Sequence, residues 1–337
     1  MEYALAIAIT FLLSFFSYHF IELYFLKVRW IKALPAKLLV SLSIILIVTT
    51  AYINEYGMSS QQWNSLSVTT DKSIWSPYAS IPTPTDQSLP LFGRKMYVVG
   101  DSHAGAYAKM LTEFSTETGI EIVVNSSAGC GITNLRKPVL TDESSCKNKA
   151  QNWIAQIKKY ASHKDIVFLA SLKTYRFVNQ NSINPANIQE KLEGQFTEKA
   201  ITMREAALNE SLNIISELSQ VTNNIVIDAP KPVFNYVGFR CADWYTENNP
   251  ICGFGDSIDV EFFHRYREST MASVKIIKER FDHILVWDPS VELCDAERCT
   301  LHRKKKPLFF DADHLSGYGN QVIYGSFKNA IKTYMPF

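Results

Sequence analysis

The sequence predicts an α/β domain with a five-stranded parallel sheet, preceded by two membrane-spanning helices. From Lys95 onward, short apolar runs alternate with helical patterns, which is typical of parallel strands covered by helices on both faces. Before residue 55, two uncharged apolar runs flank a short basic segment. We therefore expect a transmembrane hairpin over 1–54, a periplasmic linker or extension over 55–94 and the α/β domain over 95–337.

The two N-terminal apolar runs are predicted to cross the membrane as a hairpin. Residues 3–21 carry no charge and match the length that a helix needs to span the hydrocarbon core. The second run, 38–53, is slightly short, and a lysine before it can extend the span by snorkelling. The connecting loop lacks acidic residues and contains Lys27, Arg29, Lys32 and Lys37. The positive-inside rule places this loop in the cytoplasm and therefore the large domain outside the cytoplasmic membrane.

A cleaved signal peptide is the alternative interpretation of the first apolar run. Only Met1 and Glu2 precede that run, and no convincing small-residue cleavage site follows it. Retained helices are therefore the preferred prediction. The net charge of +1 gives no overall nucleic-acid-binding character, so no nucleic-acid partner is expected.

The segment 55–94 is polar and rich in Ser, Thr, Gln and Pro, which predicts an extended linker. Trp63 and Trp75 are unusual in a free tether and are expected to pack this segment onto the domain. The strands that follow are predicted at 95–100, 120–126, 165–171, 223–229 and 283–288. The helices are predicted at 104–117, 147–160, 192–219, 260–280 and 317–333.

The longest insertion, 231–259, follows the fourth predicted strand. A long loop at the carboxyl end of a strand lies beside the site of an α/β protein and often sets its specificity. The aromatic residues of the insertion include Phe234, Tyr236, Phe239 and Trp244. These side chains are expected either to stack on sugar faces or to form a hydrophobic plug around the local cysteines.

The first candidate catalytic motif is Gly100-Asp101-Ser102-His103, which follows the first predicted strand. A serine at a strand-to-helix turn projects from the carboxyl edge of a sheet, where α/β proteins place their ligands. The first N–H groups of the following helix lack intrahelical partners and can face the group that the serine attacks. A simple capping role for Asp101 and Ser102 is the alternative.

The second motif places Asp311 three residues before His314, followed by a turn of small residues and a helix. One helical turn would bring the carboxylate to the imidazole, so the acid can hold the histidine tautomer. Capping of the last helix by Asp311 or Asp313 is the alternative. Together, the two motifs predict Ser102 as nucleophile, His314 as base and Asp311 as the residue that orients the base.

All six cysteines follow the apolar runs, and their local spacing favours pairs that close short loops. The favoured pairs are Cys130 with Cys146, Cys241 with Cys252, and Cys294 with Cys299. A metal site is the alternative, but the sequence has no Cys-x-x-Cys pair and no cluster of cysteine with nearby histidine. Disulfides indicate an oxidising compartment, and the bacterial periplasm is the expected one.

These motifs resemble the SGNH (GDSL-like) hydrolase superfamily over about residues 95–335. The resemblance implies a flavodoxin-like, three-layer fold with strand order 2-1-3-4-5. It places the nucleophile at Ser102 and the acid and base at Asp311 and His314.

The resemblance also implies an oxyanion hole. The expected donors are the backbone N–H of Ser102 and a glycine within 125–131, with Gly129 the better candidate. The third family block normally supplies an asparagine, but the matching segment 166–176 contains none. Ser171, Arg176 or backbone groups are the alternative donors.

The missing asparagine and the Gly-Asp-Ser-His spelling are similar to SGNH domains that follow acyltransferase-3 membrane domains. Residues 17–22 also resemble the end of the last helix of such a membrane domain. Most of that membrane domain, including its own catalytic histidine, is missing here. The chain is therefore expected to be the tail of such an enzyme, either truncated or encoded separately.

This narrower resemblance implies O-acylation, in the first place O-acetylation, of a lipopolysaccharide O-antigen or another envelope glycan through an acyl-serine. An acyltransferase-3-type membrane domain or subunit would supply the acyl group, and no bound cofactor or metal is expected. The expected location is the bacterial inner membrane, with the α/β domain in the periplasm. The alternative is a membrane-tethered esterase or deacetylase, and a non-catalytic glycan-binding module is a third hypothesis.

Overall fold

The computed structural model describes residues 2–23, 27, 35–59, 68–141, 145–178, 187–246, 248–253 and 255–337. The chain divides into two compact units, Met1–Ser65 and Leu66–Phe337. In the first unit, helix α1 covers Glu2–Phe16, a π-helical segment covers Ser17–Glu22, and helix α2 covers Ala36–Ser59.

Within these described ranges, no helix combines the length and the apolar character needed to span a membrane. The two transmembrane helices predicted for 1–54 are thus not shown. Arg29 and Lys32 of the predicted basic loop lie outside the described residues.

The second unit is built on five parallel strands in one sheet. These strands are β1 Lys95–Gly100, β2 Glu121–Ser126, β3 Ile166–Ala170, β4 Ile225–Asp228 and, after a short strand β5 at Ser257–Asp259, β6 Ile284–Trp287. Their order is β2-β1-β3-β4-β6, and each neighbouring pair is parallel. Because β5 lies outside this sheet, β6 is its fifth strand, and the predicted order 2-1-3-4-5 is confirmed.

Among the described residues, three further short strands lie outside the main sheet: β7 Arg298–Thr300, β8 His302–Arg303 and β9 Lys306–Pro307. Strand β5 pairs with β7, and β8 pairs with β9, both antiparallel. The sequence patterns did not predict these small ribbons, because each strand is only two or three residues long.

The helices of this unit are α3 Lys72–Trp75, α4 Ser102–Gly105, α5 Ala108–Thr118, α6 Ser145–Tyr160, α7 Ile188–Gly194, α8 Glu198–Ser219, α9 Gly238–Cys241, α10 Val260–Arg280, α11 Ser290–Leu293 and α12 Gly317–Tyr334. Two predicted helices are each split in two. The helix predicted at 192–219 is interrupted because the Thr197 side chain accepts the N–H of Ala200 and starts α8. The helix predicted at 104–117 breaks between α4 and α5.

The hydrophobic core lies on both faces of the sheet, because successive strand residues point to opposite sides. Val98 packs in one cluster with residues of α5 and α12, including Phe114 and Phe327. Val99 packs in the other cluster with residues of α6, α8 and α10, including Ile157. The predicted three-layer arrangement is confirmed.

The described part of the predicted linker is packed onto the α/β domain. The backbone N–H of Val68 donates to the Asp243 carboxylate in the insertion, at 2.6 Å. Trp75 is 3% exposed, and its ring packs edge-on against Phe239 with the centroids 5.6 Å apart. The prediction for Trp75 is confirmed, whereas Trp63 lies outside the described residues.

The aromatic residues of the insertion occupy two environments. Phe234 and Tyr236 are buried in the core, which supports the hydrophobic plug for these two. Phe239 and Trp244 are partly open, with 38% and 65% of their surface exposed. The backbone N–H of Phe239 donates to the carbonyl oxygen of Phe310 at 2.9 Å, so the insertion borders the acid–histidine motif.

The three predicted disulfides are all present, as Cys130–Cys146, Cys241–Cys252 and Cys294–Cys299. The first ties the loop after β2 to the start of α6. The second closes part of the insertion, and the third joins the end of α11 to β7. Local spacing was therefore sufficient to predict the pairing.

Replacing Cys130 and Cys146 together with serine is expected to lower the free energy of unfolding by about 2–3 kcal/mol. The physical reason is that this bridge closes a separation of 16 residues and so restricts the unfolded chain. Urea denaturation of the full chain measures the change. The matched control removes the Cys294–Cys299 bridge, which spans only 5 residues and should cost less. A larger loss in the control would contradict the loop-length argument.

Candidate active site

The nucleophile turn follows β1 and is fixed by close backbone contact with β3. A side chain at Gly100 would place its Cβ 1.6 Å from the Ala170 carbonyl oxygen, so only glycine fits there. Asp101 is buried, and its carboxylate accepts the N–H of His103 at 2.9 Å and the N–H of Leu172 at 3.0 Å. Asp101 therefore braces the turn from inside, and the next residue begins helix α4.

Ser102, His314 and Asp311 form a continuous chain of hydrogen bonds at the carboxyl edge of the sheet. The Oγ atom of Ser102 lies 2.7 Å from Nε2 of His314. On the other side of the ring, Nδ1 of His314 lies 2.8 Å from Oδ2 and 3.1 Å from Oδ1 of Asp311. With the Nδ1 proton held by the carboxylate, Nε2 is free to accept the serine proton.

Backbone contacts fix the Asp311 carboxylate in this orientation. Its Oδ1 accepts the N–H groups of Asp313 and His314, at 3.0 and 2.8 Å. The last helix is capped by a different residue, because the hydroxyl of Ser316 accepts the N–H of Gly319 at 2.9 Å. The alternative in which Asp311 or Asp313 caps that helix is therefore wrong.

The electrostatic surroundings favour the protonated form of His314. Burial lowers the pKa of this imidazole, but the hydrogen bond that it donates to Asp311 and the charges of Asp313 and Asp311 outweigh burial, and the pKa is raised above its ordinary value. An imidazolium cannot accept the serine proton, so a raised pKa moves the loss of activity to higher pH.

The rate at which Ser102 is acylated is therefore expected to fall on acidification, with a midpoint above that of a free histidine. The measurement is p-nitrophenol release from p-nitrophenyl acetate by the full chain between about pH 5 and pH 8, corrected for spontaneous hydrolysis. A rate independent of pH over this range would contradict the role of His314 as base.

His103 lies beside the triad and is completely buried. Its ring stacks on that of His314 with centroids 4.4 Å apart and an angle of 17° between the planes. Its Nε2 lies 3.1 Å from Oδ2 of Asp313. His103 therefore contacts the catalytic base but does not accept the proton of Ser102. Burial together with the charge of His314 holds the pKa of His103 well below its ordinary value. Asp313 is a site residue that the sequence analysis considered only as a helix cap.

The predicted side-chain donors for an oxyanion are both engaged elsewhere. The hydroxyl of Ser171 donates to the carbonyl oxygen of Ile132 at 2.8 Å. The Nε of Arg176 donates to the Asp313 carboxylate. Ser171 therefore has no hydroxyl proton left to donate, and backbone N–H groups are the better candidates in its place.

The two glycines of the second block lie in different surroundings. Gly129 is exposed and has a positive φ of 74°, and a side chain there would meet open space among the described residues. At Gly131, a Cβ would lie 2.8 Å from Oγ of Ser171 and 2.9 Å from Oδ2 of Asp101. Gly131 is thus the glycine packed against the nucleophile turn, whereas Gly129 was the residue expected from the sequence.

The sequence patterns did not predict a buried cluster of charged side chains around Asp228. Asp228, at the end of β4, is fully buried and accepts hydrogen bonds from Lys173, from Lys231 at 3.2 Å and from the hydroxyl of Tyr107 at 2.9 Å. Burial raises the pKa of Asp228, but the two lysines outweigh burial and hold the pKa below its ordinary value. The available signal was that each lysine shortly follows a buried strand, where a charged side chain needs a partner.

One group of side chains has the spacing of a metal site. The candidate ligand atoms of His103, Asp313 and His314 all lie within 4.8 Å of one another. Arg176 already donates to the Asp313 carboxylate, and both ring nitrogens of His314 are engaged by Ser102 and Asp311. A cation next to this guanidinium would be repelled, so this donor set does not fit a metal ion.

The five-stranded parallel sheet, with a serine, a histidine and a carboxylate at its carboxyl edge, defines an α/β domain of the SGNH type, a fold associated with acyl chemistry. The chain belongs to the family described as "SGNH domain (fused to AT3 domains)", whose model matches residues 73–329. The resemblance inferred from the sequence motifs is thereby confirmed.

The solved structures that match this chain are distant in sequence. The periplasmic domain of a lipopolysaccharide acetyltransferase from Salmonella ser. Paratyphi A is 16% identical, with 71% of this chain and 84% of that chain covered and a TM-score of 0.44. A catalytic mutant of the acetylxylan esterase Axe2 from Geobacillus stearothermophilus is 13% identical, with 71% and 94% covered and a TM-score of 0.37. A putative acylhydrolase from Bacteroides fragilis is 10% identical, with 81% and 98% covered and a TM-score of 0.31. No curated protein matches the sequence.

Proposed function

We propose that this protein is an O-acyltransferase that moves an acetyl group onto a hydroxyl of lipopolysaccharide O-antigen or another envelope glycan. The observation that carries the proposal is the hydrogen-bonded chain from Ser102 through His314 to Asp311, in a domain family that is fused to AT3 domains. Membership of this family favours transfer, because an attached or associated membrane domain can deliver the acyl group.

The reaction has two balanced steps. First, Oγ of Ser102 bonds to the acyl carbon of the donor while Nε2 of His314 takes the hydroxyl proton. The bond from the acyl carbon to the donor breaks, and His314 returns the proton to the leaving atom. Second, a sugar hydroxyl bonds to the same carbon, the bond to Ser102 breaks, and the sugar proton returns to the serine through His314.

The negative oxygen that develops in both steps needs hydrogen-bond donors. We assign this role to the backbone N–H of Ser102 and to the glycine segment 129–131, where Gly131 lies against Asp101. Asp311 orients His314 and stabilises its positive charge in each step. These residues do not require a bound cofactor for the transfer.

The proposed location is the inner membrane, with the SGNH domain in the periplasm. The uncharged run 3–21 and the basic loop after it support an anchor with this orientation. Three disulfides support an oxidising compartment. The proposed partners are the glycan acceptor and an acyltransferase-3-type membrane domain or subunit.

The second candidate function is a membrane-tethered esterase or deacetylase. The complete triad supports it, because water can replace the sugar hydroxyl in the second step without any change in the protein groups. The two functions differ in the acceptor that reaches the acyl-serine.

The test is to express the full chain in bacteria with and without a candidate acyltransferase-3 membrane protein, and to measure acetyl groups on the envelope glycan by NMR. Transfer predicts new acetyl groups only when both proteins are present, and none with Ser102→Ala. If the full chain alone removes acetyl groups from acetylated glycan at ordinary enzyme rates, the transferase proposal is wrong and the esterase stands.

A further inference from the structure

A second line of polar contacts runs behind the catalytic histidine and is formed by Arg176, Asp313 and His103. The Nε of Arg176 and the Nε2 of His103 both contact Oδ2 of Asp313. The other oxygen, Oδ1, lies 3.4 Å from Nδ1 of His314. We call these three residues the supporting line.

The hydrogen bonds of His103 define its tautomer and charge. Because Nε2 faces a carboxylate oxygen, it carries the proton and donates it. The side chain is 1% exposed, and its Nδ1 has no hydrogen-bond partner among the described residues. A second proton on Nδ1 would be a buried donor without an acceptor, which is costly, so His103 acts as a neutral donor.

The charges around His314 explain why such a line is needed. Its Nδ1 edge faces two carboxylates, Asp311 at 2.8 Å and Asp313 at 3.4 Å. Its Nε2 edge faces Ser102, and its ring face is covered by the neutral His103. The guanidinium of Arg176 forms an ion pair with the second of these carboxylates, Asp313. Without it, two negative charges would favour a permanently protonated base.

We propose that Arg176 and His103 are positioning residues that hold Asp313 beside His314, and that the positive charge of Arg176 limits how strongly Asp313 favours protonation of His314. The inference rests on the proposed acyl chemistry of Ser102 and His314. It gives Arg176 a role other than donating to the substrate oxyanion. Asp313 then acts as a second carboxylate that stabilises the imidazolium formed during the reaction, alongside Asp311.

Substitutions of the two charged members of the supporting line are expected to move the acidic limb of the rate profile in opposite directions. Arg176→Gln leaves Asp313 uncompensated, so the acidic limb of the rate profile should move to higher pH. Asp313→Asn removes a negative charge, so the limb should move to lower pH. The double variant should return close to the wild-type midpoint, because both charges are gone. Each single shift is expected to be about one pH unit, at the low end for a neighbouring charge because Arg176 is partly exposed.

The experiment measures p-nitrophenol release from p-nitrophenyl acetate by the full chain across pH for these three variants. Lys199→Gln is the matched control, since Lys199 is an exposed cation lining the same cavity as Arg176, and its midpoint should not move. A structural role alone would lower the rate equally at every pH. Equal losses with unchanged midpoints, or shifts of the same sign in both single variants, would overturn the proposal.

A second readout does not depend on turnover. The imidazole Cε1–H signal of His314 can be followed by NMR across pH in the full chain with labelled histidines. Every variant in this experiment also carries Ser102→Ala. The Arg176→Gln substitution should raise the titration midpoint of His314, and Asp313→Asn should lower it. If the wild-type serine is never acylated but these midpoints move as expected, the proposed function is wrong. The proposed charge balance between Arg176 and Asp313 then still stands. If acylation occurs and the midpoints do not move, the charge balance is wrong.

Discussion

Replacing Ser102 with alanine is expected to abolish covalent acylation and to reduce turnover by a factor on the order of 10⁶, as when the nucleophile of a serine triad is removed. The loss should be this large because His314 and Asp311 act only through the serine hydroxyl, at 2.7 Å from the base. Intact-mass spectrometry after incubation with p-nitrophenyl acetate measures one added acetyl group on the wild-type chain.

Ser88→Ala provides the matched control for this experiment. Ser88 is exposed, and its hydroxyl donates to Asp86 in a turn remote in sequence from both catalytic motifs. Its removal should leave the acetyl adduct intact. An adduct that persists in Ser102→Ala would remove Ser102 as the nucleophile, whatever the geometry of the triad.

Replacing Asp228 with asparagine is expected to lower the free energy of unfolding by about 3–5 kcal/mol. The amide keeps the shape of the side chain but leaves Lys173 and Lys231 as buried cations without a counter-charge. Both lysines are almost completely buried, so water cannot replace the lost carboxylate. Urea denaturation of the full chain measures the effect.

The control for this prediction is a surface ion pair of the same kind. Glu217→Gln breaks the contact with Lys158 at 3.1 Å, in which both side chains are more than one third exposed. Such pairs contribute about 0–1 kcal/mol, so the control should change stability little. Equal losses in the two variants would mean that the buried cluster does not stabilise the fold through its charges.

The central strands of the sheet could be predicted from the sequence because they are buried on both faces. Continuous apolar runs such as 166–170 and 225–227 can be recognised without knowledge of their neighbours. The triad could be predicted because the serine motif and the acid–histidine motif each carry a local pattern. The disulfides could be predicted because each pair is close in sequence.

The missed features depend on contacts between distant parts of the chain. Lys173 and Asp228 meet only because β3 and β4 are neighbours in the sheet, so their loops leave the same edge. Arg176 and Asp313 are 137 positions apart, and neither lies in a motif that predicts the other. The sequence favoured Gly129 over Gly131 for the same reason. Only the packing of Gly131 against Asp101 and Ser171 distinguishes the two glycines.

The packing of Trp75 determines where this protein can be cut. A shortened protein that starts at Lys95, where the sheet begins, would lose the indole that covers Phe239 and His302. It would also lose the hydrogen bond from the backbone N–H of Val68 to the Asp243 carboxylate. The uncovered apolar surface lies on the insertion, next to Phe310. Such a fragment should therefore aggregate in solution, and its structure should be perturbed near Asp311. Fragments for crystallisation or enzymology should therefore retain the chain from Leu66 onward.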